Sequence, residues 1–95
     1  MTKFTFANGN SIILQHYAIG NALPARAPSL KAAALLALNE INQQIASDCA
    51  VTGIVDDGVL QDLTFENGAL LTVPAEYAVT GYRQALEIVI HEIRD

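Results

Sequence analysis

The sequence predicts a single α+β domain over residues 1–95, with an antiparallel sheet of about five strands and two helices packed on one face. Short apolar segments alternate with polar residues and are separated by Asn-Gly and Asp-Gly dipeptides, which favour hairpin turns. Two longer segments repeat their apolar residues at helical spacing. The resulting order is ββα-βββα, and a sheet covered by helices on one side is the simplest way to bury both apolar surfaces.

The first two strands are predicted to form a hairpin around a three-residue turn, 8–10. That turn pairs Phe6 with Ile12 and Phe4 with Leu14, so that all four apolar side chains share one face. A two-residue turn would divide them between the faces, because a slip of one residue inverts every side chain of a strand.

The first helix follows a loop at Gly20–Pro28, where prolines stop regular structure. Ser29 is the predicted N-cap, and the helix is expected to end near Ala46. Its apolar stripe consists of Leu30, Ala34, Ala37, Leu38, Ile41 and Ile45.

Three further strands are predicted at Ala50–Val55, Val59–Phe65 and Ala69–Val73. The dipeptides Asp57-Gly58 and Asn67-Gly68 separate them, and Pro74 ends the last one because proline cannot donate to a β-ladder. Thr80 is the predicted cap of the second helix. The apolar stripe of that helix consists of Tyr82, Ala85, Leu86, Val89, Ile90 and Ile93.

The two halves of the chain share a short sequence. Thr5-Phe6-Ala7-Asn8-Gly9 is matched by Thr64-Phe65-Glu66-Asn67-Gly68, and each copy precedes a strand and then a helix. Such an echo can mark a duplicated unit of two strands and a helix. The alternative is that hairpins favour Asn-Gly turns and aromatic residues independently.

The charge of the chain disfavours nucleic acids and anionic membranes as partners. Ten acidic residues against five basic ones give a net charge of -5, and the basic residues form no cluster that could replace counterions on phosphates. The longest apolar run, Ala32–Leu38, is too short to span a membrane. With no signal-peptide pattern and a single cysteine, Cys49, the protein is expected in the cytoplasm.

His16 and His91 are the candidate catalytic residues. His91 stands four residues before Asp95 in a string that resembles the start of the zinc motif H-E-x-x-H, but the second histidine is missing. Its place near a helix C-terminus is also explained by the helix dipole. His16 could act as a general base only if a carboxylate or nucleophile lay within reach. We therefore expect no metal and no cofactor, and the enzyme hypothesis remains an alternative.

Apolar residues outside the helical stripes supply the main functional hypothesis. Leu35, Leu36 and Ile88 fall off the stripes of their helices, so that a helix lying on one sheet leaves them uncovered. They are explained either by contact between neighbouring helices or by an interface with a second copy. Arg26, between two prolines, is a further candidate contact.

From these residues we expect a small acidic, non-enzymatic protein-interaction or regulatory module that forms a homodimer or binds a protein partner. One alternative is a small enzyme or ligand-binding domain that uses His16 or His91. Another is an acidic inhibitor that mimics nucleic acid, which requires Asp and Glu side chains in a row at the spacing of phosphates.

Overall fold

The computed structural model describes residues 2–15 and 29–92. Within these ranges the elements are β1 (Thr2–Thr5), β2 (Ser11–Leu14), α1 (Leu30–Asn42), β3 (Val51–Asp56), β4 (Leu60–Phe65), β5 (Leu70–Pro74) and α2 (Tyr82–Glu92). The strands form one antiparallel sheet in the order β1-β2-β5-β4-β3. The α+β class and the order ββα-βββα are confirmed.

Both helices pack against the sheet and against each other. Helix α1 contacts β2, and α2 contacts β5. On β4 the buried residues Gln61, Leu63 and Phe65 alternate with exposed ones, as expected for a sheet with one covered face. The largest fully buried side chains are Phe65, Ile12, Leu14, Leu63, Leu71, Leu86 and Val73.

The register of the first hairpin differs from the prediction by two residues. Phe4 lies opposite Ile12, and Thr2 lies opposite Leu14. The reason is the turn, which occupies residues 7–9 because Gly9 adopts the left-handed conformation (φ 90°). Glycine enters this region without steric cost. Since the shift is an even number of residues, the apolar side chains keep their common face.

The shared sequence of the two halves forms the same turn twice. In the first, Phe6 N–H donates to Asn10 O (2.8 Å) and Gly9 N–H donates to Phe6 O (2.9 Å). In the second, Phe65 N–H donates to Ala69 O (3.0 Å) and Gly68 N–H donates to Phe65 O (2.9 Å). The Asn side chain of each turn accepts from the N–H two residues later.

The two ββα units also occupy equivalent places in the fold. Strands β2 and β5 meet in the middle of the sheet at Ser11 and Leu70, each the first residue of its strand. The fourth, fifth and eighth residues of each helix are buried, namely Ala33, Ala34, Ala37 and Ala85, Leu86, Val89. The units are therefore related by an approximate two-fold axis between β2 and β5, and β3 is an additional strand beside β4.

Helix α1 begins as predicted and ends early. Ser29 Oγ accepts a hydrogen bond from Ala32 N–H (3.2 Å), which is the usual role of an N-cap serine. The helix ends at Asn42 rather than near Ala46, because Gln44 takes a positive φ of 62°. A left-handed residue closes a helix, so that Ile45 lies beyond it.

Helix α2 is capped from another part of the chain. Asp48 Oδ1 accepts hydrogen bonds from Arg83 N–H (2.9 Å) and from Cys49 N–H (2.9 Å). A carboxylate at this position satisfies an N–H of the first turn and complements the helix dipole. Thr80 is the predicted cap, but its backbone N–H instead donates a hydrogen bond to the side-chain oxygen of Gln84 (3.2 Å).

Candidate functional site

Large apolar side chains that remain exposed form two surfaces. The helical surface consists of Leu35, Leu36 and Ile45. The hairpin surface consists of Ile54, Val55, Val59 and Leu60, at the far end of β3 and β4. It includes both faces of the sheet, because Ile54 lies opposite the buried Leu63 whereas Val55 lies opposite the exposed Asp62. The hairpin surface is the more exposed, since Val55 and Val59 leave 70% and 75% of their area open, against 48% for Leu35.

The turn between β3 and β4 is held by two aspartates. Asp57 Oδ1 accepts from Leu60 N–H (2.8 Å) and from Val59 N–H (2.9 Å), and Asp56 Oδ1 accepts from Gly58 N–H (2.7 Å). The hydrogen bonds from Leu60 and Val59 lower the pKa of Asp57, because they stabilise its charged form. The acidic residues of this turn therefore fix the position of Val59 and Leu60.

The direction of the backbone groups on β4 follows from its pairing with β5. Phe65 N–H donates to Ala69 O (3.0 Å), so the backbone of Phe65 points towards β5. Backbone groups in a strand alternate between its two neighbours. Those of Thr64 and Asp62 therefore point the other way, towards β3.

The outer edge of β3 exposes backbone groups that are ready to pair. Thr64 and Asp62, whose backbone groups point towards β3, lie opposite Gly53 and Val55 of that strand. The backbone groups of Gly53 and Val55 bond to β4, so those of Ile54 and Asp56 point to the outside of the sheet. Among the described residues, no strand pairs with this side of β3.

The start of β3 is covered by the segment before α2. Val51 N–H donates to Thr80 O (3.1 Å), and Ala50 forms a bridge with Gly81. Beyond this contact, a groove of about 490 Å³ runs along the edge between residues 51–54 and residues 79–80. The open part of the edge therefore extends from Thr52 to Asp56.

The two edges of the sheet differ in their protection. Lys3 lies exposed in the middle of β1, and a lysine on an edge strand disfavours pairing with another chain. On β3 the residues from Thr52 to Val55 include neither a charge nor a proline, but the open edge has a register shift between Val51 and Gly53 at one end and the charged Asp56 at the other. Of the two edges, β3 is the one open to a further strand.

The predicted interaction residues occupy different environments. Leu35 and Leu36 are exposed on α1, whereas Ile88 is only partly exposed because it packs against the core. Arg26 and His16 lie outside the described residues. The helical surface is thus formed by two of the predicted residues and Ile45.

The structure places His91 in the exposed last turn of α2. Its predicted neighbour Asp95 lies outside the described residues. In ranges 2–15 and 29–92, no group of three His, Cys, Asp or Glu side chains could hold a metal ion. Neither helix in these ranges has the length and apolar character needed to cross a bilayer.

A cavity of about 440 Å³ lies where β2 and β5 diverge, between Ile13, Ile41, Cys49, Asn67 and Tyr82. The Tyr82 hydroxyl accepts a hydrogen bond from Ile13 N–H (3.4 Å). Burial raises the pKa of Tyr82 to about 12 and also raises the pKa of the Cys49 thiol. Both groups are therefore neutral at pH 7, and they line the cavity together with the carboxylates of Asp48 and Glu66, which accept hydrogen bonds from backbone N–H groups.

The hairpin surface was missed in the sequence, although a local signal exists. Ile54-Val55 and Val59-Leu60 are adjacent apolar pairs around the Asp56-Asp57-Gly58 turn. Neighbouring strand residues point to opposite faces, so one member of each pair must lie away from the helices.

No protein-family model, curated protein or solved structure matches this chain.

Proposed function

We propose that the protein is a non-enzymatic protein-interaction module that self-associates through the hairpin surface. The observation that carries the proposal is the position of β3 outside the core. Among the described residues, none of the fully buried core side chains belongs to β3; Val51 packs against the core at its margin, whereas Ile54 and Val55 are exposed. Apolar residues that do not stabilise their own core are typical of a surface that a partner covers.

The size of the hairpin surface fits this role. The exposed fractions of its four residues correspond to about two and a half whole side chains. Burial of a whole Val, Leu or Ile side chain contributes roughly 1.5–3 kcal/mol, which gives about 4–7 kcal/mol per copy. In a two-fold dimer both copies contribute, and complete burial on both faces of the sheet sets an upper limit that reaches the range of association costs, roughly 4–15 kcal/mol.

The acidic charge of the chain acts against this association. Asp56, Asp57 and Asp62 lie next to the hairpin surface, and the net charge of each copy is -5. Salt screens such repulsion, with a Debye length of about 10 Å at 0.1 M ionic strength. Self-association through this surface is therefore expected to strengthen as salt is raised.

Light scattering after size exclusion, over a wide concentration range, tests the proposal. The wild-type chain is expected to show a mass that rises towards twice the monomer mass with concentration. Val59→Lys combined with Val55→Lys should hold the chain as a monomer, because the change places charges at the two most exposed apolar positions. Leu36→Lys is the matched control on the helical surface, and it should leave the dimer intact.

Two results would contradict the proposal. The first is a monomer at every concentration and salt level. The second is a dimer that survives the double substitution on the hairpin. Loss of the dimer in Leu36→Lys alone would instead assign the contact between the copies to the helical surface, which includes Leu35 and Leu36.

The cavity favours binding of a small neutral molecule as a second function. Its volume of about 440 Å³ lies in the range of ligand pockets, roughly 300–1,000 Å³. Tyr82, Asn67 and Cys49 line it beside the apolar Ile13 and Ile41, and the acidic Asp48 and Glu66 in the same lining disfavour an anion. A set of neutral fragments, followed by ¹H-¹⁵N NMR, should shift the amides of Ile13 and Asn67. Shifts spread over the surface, or none, would remove this candidate.

A further inference from the structure

We infer that the hairpin surface is completed by a second copy of this chain, whose β3 pairs antiparallel with β3 about a two-fold axis at Ile54. The two five-stranded sheets then join into one continuous sheet. This inference rests on the proposed self-association and specifies its geometry.

The limits of the open edge determine the centre of the pairing. On one side the open edge ends at Val51, whose N–H donates a hydrogen bond to Thr80 O. On the other side it ends at the turn that begins with Asp57. The open residues are therefore 52–56, with Ile54 at their midpoint. Because a two-fold contact presents the same residues from both copies, the strand that fits this edge in full is centred on Ile54.

The exposed backbone groups suit this register. The N–H and C=O of Ile54 point outward, so the two copies of Ile54 can exchange both hydrogen bonds across the axis. Asp56 also points outward and then lies opposite Thr52 of the second copy, the residue at which the pairing of β3 with β4 shifts its register. Each added strand ends before Thr80, so the segment before α2 keeps its own bond to Val51.

Charge and side-chain size favour the same arrangement. With Ile54 on the axis, Asp56 and Asp57 of the two copies lie at opposite ends of the new pair. A parallel pair would place these aspartates side by side, and like charges directly opposite each other are destabilising. Val55 of one copy lies opposite Gly53 of the other, and a glycine leaves room for a branched side chain.

A disulfide across the axis tests the register. In a Cys49→Ala background, Ile54→Cys places two thiols on directly opposite residues. Their Cα atoms lie about 5.5 Å apart in a hydrogen-bonded pair, which is within the range that a disulfide spans. Mild oxidation should convert most of this variant into a covalent dimer. The matched control is Val59→Cys, an exposed residue of the same hairpin far from the axis, which should remain at least tenfold less cross-linked.

Hydrogen exchange of the wild-type chain provides a second test that needs no substitution. The amides of Ile54 and Asp56 should exchange at least tenfold more slowly at high than at low protein concentration. The amide of Val55, which already bonds to β4, should change much less. Protection of Val55 alone, or equal cross-linking of Ile54→Cys and Val59→Cys, would overturn the β3 pairing.

The same experiments separate this inference from the proposed function. A chain that dimerises in light scattering, without cross-linking at Ile54, self-associates through the hairpin in another geometry, and the β3 pairing is wrong. A chain that never dimerises removes both.

Discussion

Tyr82→Phe is the substitution whose effect can be derived most completely from the structure. Tyr82 is the first residue of α2, only 2% exposed, and its ring meets that of Phe65 edge to face at 5.0 Å. Its hydroxyl accepts from Ile13 N–H at the point where β2 and β5 diverge. The substitution keeps the ring packing and removes one oxygen atom.

At pH 7 the loss follows from the hydrogen bond. A buried N–H left without a partner costs about 1–3 kcal/mol, and the bond length of 3.4 Å places Ile13 in the lower half of that range. We therefore expect Tyr82→Phe to reduce the free energy of unfolding by about 1–2 kcal/mol.

At alkaline pH a second effect appears, which lowers the stability of the wild type and leaves that of Tyr82→Phe unchanged. Burial raises the pKa of Tyr82 from 10.0 to about 12, so the folded chain holds a proton that the unfolded chain releases. This contribution to stability is complete below pH 10 and is lost as pH rises through 12. The loss is about 1.4 kcal/mol per pH unit, or about 2.7 kcal/mol in total. Tyr82→Phe lacks it, so the difference between the two chains should shrink above pH 10.

Urea unfolding at pH 7, 10 and 11.5 measures both effects at one low protein concentration, so that self-association stays constant. Tyr77→Phe is the matched control, since the Tyr77 hydroxyl is bonded to Glu92 on the surface (2.7 Å). Its unfolding transition at pH 7 should stay close to that of the wild type. Equal stability of Tyr82→Phe and wild type at pH 7, with the same alkaline slope, would refute the role given to the hydroxyl.

Three other predictions concern turns and caps. Gly9→Ala and Gly68→Ala should each cost about 1–2 kcal/mol in urea unfolding because both glycines have φ near 90°, whereas Gly53→Ala should change stability by less than about 0.5 kcal/mol. Asp48→Ala should cost about 1–2 kcal/mol and Asp48→Asn less, because asparagine keeps the acceptor for α2; equal losses would contradict the role of that acceptor. The ionised Asp57 stabilises the turn at pH values above the pKa that this residue has in the unfolded chain. The difference in stability between the wild type and Asp57→Asn should therefore disappear as pH falls below about 4, through the lowered pKa of Asp57 in the folded chain. A difference in stability that stays constant with pH would exclude this linkage.

The fold could be predicted from the sequence because its signals are local. Turn dipeptides and apolar periodicity fixed each element to within a few residues. The errors occur where a distant residue or a special backbone angle decides. Gly9 moved the first turn by its positive φ, Gln44 ended α1 early, and Asp48 capped α2 from far along the chain. The sequence around Thr80 does not reveal that Asp48, a residue distant in the chain, caps α2.

The candidate site was predictable only on the helices. Leu35 and Leu36 were identified because the angle of a residue on a helix depends on its sequence position alone. The exposure of Ile54 and Val55 depends on which strand lies at the edge of the sheet. The order β1-β2-β5-β4-β3 makes β3 an edge, and that order is set by the pairing of β2 with β5. Ser11 and Leu70, which form this pairing, lie 59 positions apart in the chain, so a local pattern could not reveal it.

The approximate two-fold relation of the two ββα units gives β3 a distinct status. Each unit supplies a hairpin and a helix, and the fully buried core contains no side chain from β3, of which only Val51 packs against it. If β3 served only to cover β4, polar residues on its outer positions would suffice and would protect the edge, as Lys3 does on β1. Ile54 and Val55 instead leave the middle of the edge apolar, between the register shift near Gly53 and the charged Asp56. The composition of this added strand supports our proposal that a second β3, which has matching length and polarity, pairs with it.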